Sequence, residues 1–132
     1  MDKYMMDQTP YEMLGGDETL RKLVDAFYPK VYADPRLSPL FEGDMNIIKE
    51  KQRMFLTQFL GGPTLYSDVY GHPMMRARHM PFEITPSRAE AWLECMRQAM
   101  DDIGLQGELR DYFYERLKMT AYHMVNTDEP QS

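Results

Sequence analysis

The sequence contains a single cysteine, Cys95, so no internal disulfide can form and nothing points to an oxidising compartment. No stretch approaches the roughly 20 apolar residues of a membrane span. Residues 1–8 lack the apolar centre of a secretory leader, so a cytoplasmic protein is expected. Long alternation of apolar and polar residues is missing, which argues against a sheet. Positive charge is also short: 15 Lys and Arg against 21 Asp and Glu leave a net charge of −6. Such a surface repels a phosphate backbone and makes nucleic acid a poor partner. Three histidines and one cysteine lie too far apart for a zinc signature. Gly61-Gly62-Pro63 lacks the Lys-Ser/Thr that follows in a phosphate-binding loop. Cys95 has no nucleophile motif around it and reads as packing beside Met96.

What remains is one domain's worth of helix. A chain of 132 residues, 43% hydrophobic and 27% charged, can bury one core, and its balance argues against disorder. Gly15-Gly16-Asp17 ends a short first helix, with Asp17 expected to cap the next. Leu20, Leu23, Val24, Phe27, Tyr28 and Val31 then recur at helical spacing until Asp34-Pro35. Asp44 can cap a helix running to Leu60, which Gly61-Gly62-Pro63 stops. Residues 61–73 are expected to be loop, followed by a short helical piece over 73–80. Thr85-Pro86 is a start signal for a helix carrying Ala89, Trp92, Leu93, Met96, Met100 and Ile103, with Trp92 expected at its centre. A last helix covers about 107–125. The class is all-α: four substantial helices and shorter ones, a core over 9–126, and a polar tail to Ser132 expected to fray. Thirteen methionines suit either an awkward core or the surroundings of an irregular flat object.

Four polar residues interrupt the apolar stripes, and a buried polar group without a partner costs about 1–3 kcal/mol. Tyr28 lies four after Val24 and three before Val31. Gln52 shares a face with Ile48, Phe55 and Phe59. Trp92 offers one donor and no acceptor. His79 lies four after Met75 and three before Phe82, while His72 sits in a turn and His123 near the surface. Taken singly, each suits ordinary packing: a core tyrosine, an edge glutamine, a core tryptophan, a satisfied histidine. Taken together they supply one imidazole and three donors on four apolar faces. A dry pocket with one axial metal ligand and a donor-rich opposite wall has this makeup, although spacing does not show that the four converge.

Longer motifs carry a resemblance. Phe55-Leu56-Thr57-Gln58-Phe59-Leu60-Gly61-Gly62-Pro63, then Tyr66, then Gly71-His72-Pro73 through His79-Met80-Pro81-Phe82 resemble the group II truncated haemoglobins. Ala91-Trp92-Leu93-Glu94-Cys95-Met96, the closing His123-Met124-Val125-Asn126 and the early Phe27-Tyr28 pair do so too, in order over roughly residues 10–127. The resemblance implies a two-over-two helical sandwich around haem b. It makes His79 the proximal iron ligand and Tyr28, Trp92 and Gln52 the distal stabilisers of a bound ligand. Ile48 then stands on the distal helix, where it cannot donate and so has a steric role. Phe41 and Phe55 become porphyrin walls. Phe82 and Met96 become further cofactor contacts, and Lys51, Tyr66 and Arg78 reach the propionates. Lys49, Lys51, Arg53, Arg76 and Arg78 gather around these positions in an acidic chain, and two carboxylates need cations.

The implied function is binding of O2 and related diatomic ligands, CO and NO among them. Donors on the distal side would stabilise charge on the ligand and slow its escape, which favours scavenging or redox detoxification over delivery. A haem-dependent peroxidase, or an enzyme that detoxifies NO and other reactive nitrogen species, is the alternative. Either would need a reductase or a small reductant. A haem-free helical interaction module is a remote third. The chain can act as a monomer or a homodimer.

Overall fold

The computed structural model describes residues 8–41, 43–80 and 82–129, without the side chains of Met75 and Arg76. The expectations about a leader and about the last three residues of the tail fall largely outside that range. The described residues form seven α-helices and one 3-10 turn, and no strand occurs among them. The helices are α1 (Pro10–Leu14), α2 (Gly16–Ala33), α3 (Met45–Phe59), α4 (Leu65–Tyr70), α5 (Met75–His79), α6 (Pro86–Asp102) and α7 (Glu108–His123), with the 3-10 turn at Ser38–Leu40. No helix among the described residues is long and apolar enough to cross a membrane.

The helix ends follow local chemistry. The Thr9, Asp44 and Thr85 side chains accept hydrogen bonds from the Glu12, Asn46 and Arg88 backbone N–H groups, closing the starts of α1, α3 and α6. Asp17 does not cap α2. The helix begins at Gly16, after Gly15 in the left-handed region, so Asp17 lies inside the first turn. Its carboxylate instead accepts from Arg21 and, at 2.5 Å, from Arg53 of α3. The expected loop over 61–73 contains the six-residue helix α4. Pro63 and Thr64 precede a helix too short to show a period in the sequence.

Burial follows the α2 stripe: Leu20, Leu23, Val24, Phe27, Tyr28 and Val31 are all buried. Helix α2 packs on both α3 and α6, and α6 packs on α7, giving two layers of paired helices. Gly62 lets α1 close on the end of α3, because a Cβ there would stand 2.7 Å from the Tyr11 ring and 2.9 Å from the Thr57 carbonyl oxygen. Arg116 of α7 donates to the Phe59 carbonyl at 3.0 Å and lies over the Phe59 ring.

Lys49 and Arg53 are drawn away from the role expected of them. Lys49 pairs with Asp25 at 3.0 Å, and Arg53, only 8% exposed, spans Asp17 and Glu50. Their charges join α3 to α2, because both point off the face that carries Gln52. The Arg53 hydrogen bond holds the Glu50 carboxyl below its ordinary 4.5. At Asp17 partial burial works upward, but the bonds and charges of Arg21 and Arg53 outweigh it and the pKa falls below 3.8. Carboxyls with lowered folded pKa contribute stability above their unfolded values and lose it as pH falls through the folded ones. Stability should therefore decline from about pH 4.5 downward. In Arg53→Gln that decline should be shallower, as read from urea midpoints between neutral and acid pH. An equally steep decline in the variant would show that this network does not carry it.

Candidate functional site

The polar residues that interrupt the stripes meet at one cavity. Tyr28 from α2, Gln52 and Phe55 from α3, His79 from α5 and Trp92 from α6 all line it, with Phe41 from the turn before α3. The space, counted with its open mouth, is about 780 Å³, and a neighbouring lobe of about 910 Å³ shares Tyr28, Phe41, Gln52, Phe55 and His79. Ile48, Lys51, Tyr66, Arg78 and Phe82 line that second lobe.

Aromatic packing fixes the inner wall. Phe27, fully buried, meets Tyr28 edge-on at 4.8 Å between centroids and Trp92 at 5.1 Å. Tyr28 in turn meets Phe41 at 6.1 Å, and Phe55 meets Tyr66 at 5.8 Å. Trp92 is half-buried and does not form the centre of its stripe. Met96, Ala99 and Met100 take that place, because the indole turns to the cavity.

Tyr28 is 2% exposed, and its hydroxyl makes no hydrogen bond to another described residue. Burial, with a smaller contribution from Tyr32, pushes its pKa far above 10, so the hydroxyl stays protonated and remains a donor. The Gln52 amide and the Trp92 indole also lack a hydrogen-bond partner among the described residues. Three buried or half-buried donors thus face one space without acceptors among the described residues, which fits a bound group that brings its own.

Helix α5 ends at His79, which is half-buried in the cavity wall. Met74, before it, has φ of 44°, an uncommon conformation for a residue with a side chain. Arg78 is largely committed to its own loop, where Nε donates to the Pro73 carbonyl at 2.7 Å and Nη2 to the Tyr70 carbonyl at 3.0 Å. Its guanidinium also lies over the Tyr66 ring, and Lys51 lies over Tyr70 at 4.8 Å. Of the expected cluster of cations, Lys51 and Arg78 reach the second lobe, while the Arg76 side chain lies outside the described part.

Met96 lines neither lobe. It follows Trp92 by one turn on the same helix face, but that turn is buried in the core. Sequence reasoning missed Leu37, Ile84 and Arg88, which line the cavity from turns or a helix start where no period marks them. Leu117 and Met124 are legible as members of the α7 stripe.

The layered helices and the apolar slot with its imidazole define a globin. The chain matches the family described as Bacterial-like globin over residues 9–126. It is 53% identical over 122 residues to the group 2 truncated hemoglobin YjbI of Bacillus subtilis, covering 92% of each chain. Its structure matches the crystal structure of the group II truncated hemoglobin from Bacillus anthracis with TM-score 0.92 and 55% identity, covering 95% of this chain and 96% of that one. It also matches the truncated oxygen-avid haemoglobin from Bacillus subtilis with TM-score 0.87 and 54% identity, over 90% of this chain and 100% of that one. The chain belongs to the bacterial-like globin family, as a group II truncated haemoglobin, and so is a haem protein for O2 and related diatomic ligands.

Proposed function

We propose that this chain holds haem b in the cavity through His79 and retains O2 by hydrogen bonds from Tyr28 and Trp92, with Gln52 beside them. The observation that carries this reading is Tyr28, a buried donor that lines the cavity and makes no hydrogen bond to another described residue. When bound, haem supplies an iron that takes a diatomic ligand. His79 would hold the iron, Phe41 and Phe55 would wall the ring, and the Tyr28, Trp92 and Gln52 donors would stabilise charge on the ligand. Ile48 narrows the distal side without donating. Lys51, Tyr66 and Arg78 offer cations and a hydroxyl to carboxylates at the open edge, and Phe82 covers the rim.

The oxygen-avid relative supports retention over transport. Retention suits scavenging or redox detoxification in the cytoplasm, with electrons from a reductase or small reductant. A peroxidase reading has less support, since His79 is the only histidine lining the cavity among the described residues and no distal imidazole is left as a base.

The test is the visible spectrum of the purified protein, ferric and reduced, with and without CO, beside His79→Ala. The wild type should show a strong Soret band that shifts with CO, and the variant should lose or alter it. A wild type that cannot be reconstituted with haemin would refute the proposal.

A further inference from the structure

We infer that Asn126 is a positioning residue for His79, acting through the loop that follows α5. The inference rests on His79 being the axial ligand. Asn126 uses its whole amide. Nδ2 donates to the His79 carbonyl at 3.2 Å and to the Phe82 carbonyl at 2.9 Å. Oδ1 accepts from the Ile84 N–H at 3.0 Å and from the Thr127 hydroxyl at 2.7 Å. The Asn126 and Thr127 backbone N–H groups both donate to the Ile84 carbonyl, at 3.0 and 3.2 Å.

One side chain thus grips both ends of the 79–84 segment. The described residues after His79 carry no helix there, beyond the turn closed by the Phe82 N–H on the His79 carbonyl. The tail continues the grip. Glu129 accepts from the Ser87 N–H at 2.5 Å and from its hydroxyl at 3.0 Å, so the described part of the expected frayed tail is tied down at the start of α6. Helix α5 is little more than a single turn and cannot orient His79 by itself. With its carbonyl held by Asn126, the residue's backbone is tied to the segment that follows α7, which limits where the imidazole can point.

The test compares wild type, Asn126→Ala and Asn126→Asp. The Asp variant keeps the acceptor for Ile84 but sets a carboxylate against two carbonyls. Resonance Raman of the ferrous, ligand-free protein reads the iron–histidine stretch, and transfer of haem to an apoglobin acceptor reads its retention. Both variants should shift or broaden the stretch and release haem about tenfold faster, the effect of losing a net hydrogen bond or two. An unshifted band with haem loss within about twofold of wild type would overturn the inference. A wild type with no iron–histidine band would instead overturn the assignment of His79. Should the variants not fold, hydrogen exchange on the wild type decides: the Ile84 and Thr127 amides should be protected together, and exchange at unprotected loop rates would overturn the clamp.

Discussion

Replacing Tyr28 and Trp92 together with Phe should speed O2 dissociation by tens to several hundredfold. Two donors, each contributing about 1–2 kcal/mol net, account for that range. Tyr28→Phe is the cleaner of the two single changes. It removes the hydroxyl and leaves the ring contacts to Phe27 and Phe41 in place. Trp92→Phe also empties space beside Phe27, so part of its effect will be packing. The singles and the double form a cycle whose coupling reports whether both donors act on the same ligand atom. Stopped-flow displacement of O2 by CO measures the rates. A double variant within about twofold of wild type would remove hydrogen-bonded retention as the mechanism.

Phe27→Ala should cost about 3–5 kcal/mol of stability. At about 0.05–0.15 kcal/mol per residue, a chain of this size has roughly 7–20 kcal/mol in total, so the loss is a large fraction. Phe27 is fully buried and touches both Tyr28 and Trp92, so its removal leaves a cavity behind these two side chains. O2 dissociation should therefore rise as well, although Phe27 itself does not line the slot. Phe27→Leu, which refills most of the volume, should recover much of both effects. Urea unfolding of the haem-free protein isolates the change in stability, since bound haem would mask it by mass action. A loss below about 1 kcal/mol would show that the surrounding side chains collapse into the space.

Much of the fold is local and therefore legible in the sequence. Thr85-Pro86 and Asp44 mark helix starts because their side-chain oxygens satisfy N–H groups within three residues. The α2 stripe is visible because burial on one side repeats every three to four residues. Helix α4 is not legible, since six residues are less than two turns and leave no period to detect. Asp17 reads as a cap from its neighbours, but an arginine 36 residues away claims its carboxylate.

The site divides the same way. By itself the sequence determined which residues stand out: an imidazole, a phenol, an amide and an indole on faces that are otherwise apolar, a conclusion that needs only helical periodicity. Only the tertiary structure decided that these four face one cavity, that Met96 turns into the core, and that Lys49 and Arg53 serve ion pairs between helices. It also decided that Asn126 reaches back 47 positions to the His79 carbonyl. Periodicity fixes the direction of a side chain around its own helix axis. What stands opposite depends on how helices distant in sequence pack, and that is set by the summed contacts of the whole core.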